Sequence, residues 1–412
     1  MSLSEYKNAR NHLKDLIVDT PLELLENFKT YSGSGIIVKR EDLQLVRSFK
    51  IRGAYYMISS LSSEAKSRGV ICASAGNHAQ GVAFACRALQ IKGTIFMPST
   101  TPKQKVKQVG FHGKEWINIV LEGDSFDQAN EKAIQQSRIT GAAFIHPFNT
   151  PQVIHGQGTL ALDILDQSEK TIDYIFIPVG GGGLAAGMAE VLADKSPNTK
   201  IIGVEPEGAP AMQKAIKAGW PVYLDVIDNF TDGAAVKQVG DQTFDICKNL
   251  LDEVITVPEG LICETILRLY NENAIVAEPA GALALAGAMI YEGAKKGDNL
   301  VAILSGGNND MSRFPDFKER ALLYKKLKHY FIIRFPQRPG ALKEFVMEVL
   351  GPNDDIVHFE YSKKTSRENG PALIGIELRN PEDFSPLVQR MKERNFYSDY
   401  VNELPDLMNY LV

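Results

Sequence analysis

Tyr174-Ile175-Phe176-Ile177-Pro178-Val179-Gly180-Gly181-Gly182-Gly183-Leu184 is the stretch on which the fold turns. Six apolar residues run without in–out alternation, which marks a strand buried on both faces and hence a parallel sheet covered by helices. The strand runs into four glycines, and a helix follows over about residues 185–193. Backbone N–H groups at a helix start, with no side chains to shield them, close on an anion, and the helix terminus adds partial positive charge. A phosphate belongs at this turn. Its parent is open. Gly180, Gly182 and Ala185 satisfy the G-x-G-x-x-G/A dinucleotide pattern, and Glu205 stands at the end of the next strand as a ribose-binding acid would. A lone phosphate and a purely structural glycine turn are the other readings.

Outward from this stretch the pattern repeats. Short apolar strands at residues 36–39, 70–73, 93–97, 117–121, 143–145, 201–204 and 300–304 alternate with helices at 78–89, 102–110 and 125–139. Such alternation predicts an α/β fold with parallel sheets. An amphipathic helix is expected over residues 5–19, ended by Thr20-Pro21.

Ser48-Phe49-Lys50 opens another helix, with Ile51, Ala54, Tyr55, Ile58 and Leu61 at helical spacing and Ser48 read as the N-cap. A lysine in a first turn faces the positive end of the helix dipole, and burial beside Phe49 also favours the neutral amine. A neutral lysine is the nucleophile that forms a Schiff base with an aldehyde. The plainer reading makes Lys39, Arg40, Arg47, Lys50 and Arg52 a solvated basic face. Ser74-Ala75-Gly76-Asn77-His78 is a second strand–loop–helix anion site, suited to a carboxylate, or else a helix capped by Asn77. Ser305 follows a buried strand and so lies at the carboxyl edge of a sheet, where ligands bind in open α/β folds. Glu278 begins a small-residue helix, where the dipole favours an acid.

After Arg313 the pattern changes. A charged helix (315–328) leads to strand, helix, strand, strand, helix, strand over 330–401, with a polar loop at 363–370. The order β-α-β-β-α-β is the ferredoxin-like arrangement, which as an appendage usually binds a small ligand or a copy of itself. A net charge of −5 gives no electrostatic footprint for nucleic acid or an anionic membrane. No run approaches the ~20 apolar residues of a membrane span. The start lacks a signal peptide's apolar core. Cys72, Cys86, Cys247 and Cys263 have no C-x-x-C spacing, and the seven histidines have no metal-ligand spacing. A cytoplasmic protein is expected.

Ser-Phe-Lys preceded by Lys39-Arg40-Glu41-Asp42, then Ser-Ala-Gly-Asn-His-Ala-Gln-Gly (74–81), the tetraglycine loop, Glu-Pro-Ala-Gly-Ala (278–282) and Ser-Gly-Gly-Asn (305–308) occur in the order seen in fold-type II pyridoxal phosphate enzymes, the tryptophan synthase β-like fold. The chain most resembles the biosynthetic threonine dehydratases, in a short form with one ACT-like C-terminal domain. The resemblance implies a catalytic domain over 1–320, with a small subdomain at about 48–148 inserted in the larger one. A linker at 321–328 and a regulatory domain at 329–412 would follow. It further implies that Lys50 carries pyridoxal 5'-phosphate and takes the substrate's α-proton, with Phe49 against the ring. Gly180, Gly181, Gly182, Gly183 and Leu184 would cradle the phosphate and Asn77 would contact the phenolic oxygen. Ser305 would face the pyridine nitrogen, and Glu278 joins the cofactor set. Ser74, Ala75, Gly76, Asn77 and His78 would hold the substrate carboxylate. A hydroxyl at Ser305 cannot keep the ring nitrogen protonated, which favours prompt loss of the β-hydroxyl. Serine racemases carry a serine where this chain has Ala75, and Ala211 stands where their cation-binding acid is expected, so no metal is expected.

The activity implied is β-elimination from L-threonine to 2-oxobutanoate and ammonia, inhibited by L-isoleucine, in a homo-oligomer (dimer or tetramer). The rivals are an L-serine dehydratase or other β-eliminating or β-replacing enzyme on this scaffold, a nicotinamide-dependent dehydrogenase resting on the glycine loop and Glu205, and a non-catalytic amino-acid sensor.

Overall fold

The computed structural model describes residues 3–361 and 369–408. Its contacts divide the chain into two compact units, Met1–Met311 and Ser312–Val412.

The first unit holds ten strands: β1 (Leu22–Lys29), β2 (Gly35–Arg40), β3 (Val70–Ala73), β4 (Gly93–Met97), β5 (Ile117–Leu121), β6 (Ala143–Phe144), β7 (Tyr174–Pro178), β8 (Lys200–Pro206), β9 (Glu253–Val257) and β10 (Leu300–Leu304). They form two sheets, β1-β2-β10-β7-β8-β9 and β5-β4-β3-β6. Every pair is parallel except β1 with β2. The central strands β7, β8 and β10 are almost wholly buried, as their unbroken apolar runs require. Sequence reading passes over β1. Its exposed Glu23, Glu26 and Lys29 lie on a sheet edge, where charge blunts pairing with other chains and hides the strand period.

Helix Leu3–Leu13 stops six residues short of the expected end. Helix Pro151–Gln167 is another unread element: its residues from Val153 to Ile164 are all buried, so it has no polar face to reveal a 3.6-residue period.

The basic stretch is not a solvated face. Lys39 and Arg52 are both 0% exposed. Arg52 donates from Nε and Nη2 to the two carboxylate oxygens of Glu41 (2.8 and 2.9 Å) and from Nη1 to Asp163 on helix Pro151–Gln167 (2.7 Å). Lys39 Nζ donates to the Thr20 carbonyl at 2.5 Å and to Gln167 Oε1 at 2.8 Å. Arg40 pairs with Asp42 and Glu23. Lys-Arg-Glu-Asp therefore ties β2 to two helices, and Arg52 anchors the helix that begins at Lys50.

In the second unit, β11 (Lys328–Pro336), helix Ala341–Glu348, β12 (Asp355–Tyr361), β13 (Asn369–Glu377), helix Phe384–Glu393 and β14 (Tyr397–Tyr400) follow in order. The sheet order is β12-β13-β11-β14, with all pairs antiparallel. This is the ferredoxin-like topology, closed over a core that includes Phe331, Phe335, Phe345, Ile374 and Phe396. Most of the polar loop expected at 363–370 lies outside the described residues.

Candidate active site

The glycine loop is built by what crowds it. An alanine Cβ at Gly181 would stand 2.2–2.3 Å from three atoms of the Phe148 ring, and one at Gly183 would stand 2.9–3.0 Å from Phe148 atoms. At Gly180 it would reach Ala234 Cα at 3.0 Å. Gly182 has φ +91°, a left-handed conformation that favours glycine. The loop carbonyls are taken: Thr243 Oγ1 donates to the Gly181 carbonyl at 2.6 Å, and Ala186 N–H to that of Gly182 at 2.8 Å. Among the described residues no acceptor takes the N–H groups of Gly180, Gly181 or Gly182. Those of Gly183 and Leu184 open helix Gly183–Lys195 and have no intrahelical partner. Five N–H groups on a loop packed so closely from behind that only glycine fits at 181–183 suit a phosphate. The structure thus fits the phosphate end of the expected cofactor.

Lys50 opens helix Lys50–Ser59. Ser48 is not its cap. Phe49 occupies the cap position at φ −60°, ψ −17° without a side-chain bond, and the Ser48 hydroxyl is buried with no hydrogen-bond partner among the described residues. The segment is held instead by backbone. Phe49 N–H donates to the Ser305 carbonyl (3.1 Å), Gly307 N–H to that of Arg47 (2.9 Å), and Ser48 bridges to Gly306. Lys50 Nζ lies 5.3 Å from the Phe49 ring centroid and donates to the Pro147 carbonyl at 3.1 Å. Burial pushes its pKa down to about 8, against the opposing pull of the Glu278 carboxylate.

Asn77 is the first residue of helix Asn77–Leu89 and does not cap it; Gly76 does. The Asn77 amide donates to Glu278 Oε1 at 2.5 Å, and its oxygen accepts from Asn308 Nδ2 at 2.7 Å. Glu278 is buried, and its N–H donates to the Gly306 carbonyl at 3.2 Å. Ser305 is buried, and its hydroxyl donates to the Ala280 carbonyl at 3.0 Å. In the Ser74–Gly76 loop, Ser74 Oγ accepts from Gly76 N–H at 3.2 Å, and a Cβ on Gly76 would meet nothing within 4 Å, so the loop borders open space. His78 is turned the other way. Its ring is 3% exposed, with Nε2 at 2.9 Å from the Ile145 carbonyl and Nδ1 unpartnered. Burial and then Lys50 press its pKa to about 3, so the ring is neutral and supports the loop from behind, leaving only its backbone N–H to a ligand.

Sequence reading missed His146, Pro147, Phe148, Asn149, Ala234 and Thr243. No motif of known chemistry marks them, although His146-Pro147 after a short strand is a visible turn signal. Glu205 is misread as a ribose acid. It is 0% exposed and accepts from the N–H groups of Met212 (2.6 Å) and Gln213 (2.8 Å), at the start of helix Ala211–Ala218. Fully buried and bonded to that helix start, it is out of reach of a ribose, which leaves the nicotinamide reading only the glycine pattern.

A half-buried amine at a helix start, a glycine loop with unpaired N–H donors, and Asn77, Glu278 and Ser305 gathered from the ends of two sheets define a pyridoxal-phosphate dependent enzyme. The family described as "Pyridoxal-phosphate dependent enzyme" matches residues 13–306, and "C-terminal regulatory domain of Threonine dehydratase" matches residues 319–411. The chain is 51% identical over 404 residues to the biosynthetic L-threonine dehydratase IlvA of Bacillus subtilis (strain 168), covering 98% of this chain and 96% of that one. To the enzyme of the same name from Lactococcus lactis subsp. lactis (strain IL1403) it is 49% identical, covering 98% and 97%. Among solved structures, the processed form of threonine deaminase isoform 2 from Solanum lycopersicum is 42% identical with a TM-score of 0.73, covering 78% of this chain and 94% of that one. Maize serine racemase is 30% identical with a TM-score of 0.72, covering 78% and 98%. The chain belongs to the biosynthetic threonine dehydratases.

Proposed function

We propose that the protein converts L-threonine to 2-oxobutanoate and ammonia by β-elimination, with Lys50 as the residue that carries pyridoxal 5'-phosphate and handles the substrate's α-proton. The observation that carries this reading is the Lys50 amine at a helix start, donating to the Pro147 carbonyl at 3.1 Å in surroundings that lower its pKa. Bound cofactor supplies an aldehyde for amine exchange and an electron-withdrawing ring that acidifies the substrate's α-carbon. Gly180 to Leu184 hold the phosphate through N–H groups. Asn77, oriented by Glu278 and Asn308, presents its amide to the ring oxygen. Ser305, whose hydroxyl donates to the Ala280 carbonyl, would face the ring nitrogen as a neutral group and leave it unprotonated. Ser74, Ala75, Gly76 and the N–H groups that follow hold the carboxylate over open space. The Lys50 amine would be the base for the α-proton, because His78 and its neighbour His146 are too weakly basic to compete.

The test is peptide mapping after borohydride reduction, beside a threonine-to-oxoacid assay. The reducible adduct is expected on Lys50, and Lys50→Ala should lose both label and turnover; a label on another side chain refutes the assignment. L-Serine is the second substrate to compare, since one methyl in an apolar pocket gives only ~10- to 200-fold discrimination.

The ferredoxin-like unit and the family match over 319–411 support control by an amino-acid effector, for which L-isoleucine is the candidate. Deleting 329–412 should leave turnover and abolish inhibition; inhibition that persists overturns this. We further place the enzyme in the cytoplasm as a homo-oligomer. Its four cysteines are free and buried, and among the described residues no helix is long and apolar enough to cross a membrane.

A further inference from the structure

We propose that His146 is a positioning residue that sets the Lys50 amine against the phosphate loop, by closing residues 146–149 into a turn that touches both. The proposal rests on the roles given above to Lys50 and Gly180 to Leu184. The turn follows β6, and each residue in it meets a different part of the site. The Ile145 carbonyl, just ahead of the turn, accepts from the His78 ring, which backs the substrate loop. The Pro147 carbonyl accepts from Lys50 Nζ at 3.1 Å. Phe148 fills the volume that side chains at Gly181 and Gly183 would otherwise occupy. Asn149 Oδ1 accepts from Gln242 N–H at 3.0 Å and would stand 2.3 Å from a Cβ on Gly240, beside the Thr243 that holds the Gly181 carbonyl.

What folds these residues back is the His146 ring. Its Nδ1 accepts from the N–H groups of both Phe148 (3.2 Å) and Asn149 (2.9 Å). An atom that accepts twice carries no proton, so the imidazole is the neutral tautomer with hydrogen on Nε2. Burial first, and then the Lys50 charge, hold its pKa near 4, so it keeps that form wherever the enzyme works. The same ring meets Phe148 edge-on, with centroids 4.7 Å apart and planes at 87°, so it also fixes the ring behind the glycines. Without the acceptor, two N–H groups inside a half-buried turn lose their partner, and the Pro147 carbonyl and Phe148 ring move together.

Nδ1 of histidine and Oδ1 of asparagine are both bonded to Cγ, so asparagine can accept from the same two N–H groups, as in an Asx turn. Leucine has similar bulk and no acceptor. Aspartate keeps the acceptor and adds a negative charge near Lys50. The experiment compares His146→Leu, His146→Asn and His146→Asp with the parent in the full chain, by two readouts. One is the dissociation constant of pyridoxal 5'-phosphate by visible absorbance; the other is the pH midpoint for acylation of Lys50 in cofactor-free protein, read by mass spectrometry. His146→Leu is expected to weaken cofactor binding about 10- to 100-fold, the scale of one or two unsatisfied buried N–H groups. His146→Asn is expected to recover most of that loss. His146→Asp should recover it too, while moving the Lys50 midpoint upward from near 8. Equal binding by the parent and a folded His146→Leu overturns the proposal, as does an asparagine variant as weak as leucine. Should His146→Leu fail to fold, an aspartate midpoint indistinguishable from that of His146→Asn overturns it alone. Borohydride labelling of the parent separates the two levels: a label on Lys50 with no His146 effect sinks this proposal only, whereas a label elsewhere sinks the reading beneath it as well.

Discussion

Replacing Gly181 by alanine puts the phosphate cradle to its sharpest test. The new methyl would lie 2.2 Å from Phe148 Cδ1 and 2.3 Å from Cε1 and Cγ. Carbon–carbon contact settles at about 3.5–4 Å, so ring and loop must part by more than about 1 Å. The ring cannot retreat freely: His146 lies edge-on to it, and Gly183 already sits against its backbone. Overpacking of this kind costs about 1–3 kcal/mol, and a displaced loop gives up at least one charge-assisted hydrogen bond worth about 1.5–3 kcal/mol. Cofactor affinity should therefore fall about 10- to 100-fold, read by titrating cofactor-free protein and following visible absorbance. Phe148→Ala removes the obstacle, so Gly181→Ala should cost much less in its presence than in the parent. That coupling separates a steric clash from a general loss of loop flexibility. If the two substitutions add within about 0.5 kcal/mol, or if Gly181→Ala alone binds as the parent does, the packing argument is refuted.

Three further outcomes are expected. In cofactor-free protein, Lys50 should acylate with a midpoint near pH 8, which at pH 7.5 leaves roughly a quarter of the amine neutral, against about one part in a thousand for an ordinary lysine. Glu278→Gln should push that midpoint lower still, since the carboxylate pulls it upward; a rise would contradict the assignment. The depressed pKa also has a sign in stability: the folded protein disfavours the charged amine, so below about pH 8 Lys50 destabilises the cofactor-free fold by about 3 kcal/mol. The penalty fades as pH rises toward the unfolded value of 10.5. Chemical denaturation of cofactor-free Lys50→Met should therefore show its advantage over the parent shrinking between pH 8 and 10.5; an advantage constant with pH would contradict this. Finally, Arg52→Leu leaves the buried Glu41 carboxylate without its guanidinium, while Asp163 keeps Arg10, and should cost about 3–5 kcal/mol in urea unfolding, where a loss below about 1 kcal/mol would refute the buried network.

Much of the α/β core was readable because its signals are local. β4, β5 and β10 fall where the residue pattern puts them, and the ferredoxin-like order of the second unit follows from turn residues and strand period. Two of the failures share one cause. β1 and helix Pro151–Gln167 lie at opposite extremes of burial, an exposed edge and a wholly enclosed helix, and periodicity informs only about elements half in water. The buried Lys39 and Arg52 were misjudged because their partners Thr20, Gln167, Glu41 and Asp163 come from separate segments.

By itself the sequence determined which groups can do the chemistry: an amine at a helix start, N–H donors on a glycine loop, an amide and a hydroxyl at strand ends. Chain direction and residue type suffice for these, because strand-to-helix turns at the carboxyl edge of a parallel sheet point their N–H groups one way. Only the tertiary structure decided which of them work as a set. Glu205 was withdrawn by two N–H groups, His78 was turned inward, and an unremarkable turn at 146–149 was placed between Lys50 and Gly181. Glu205 is held from only 7 and 8 residues away, but the His78 and Lys50 contacts span 67 and 97 residues of chain, and no local pattern encodes which distant segment arrives to meet a given side chain.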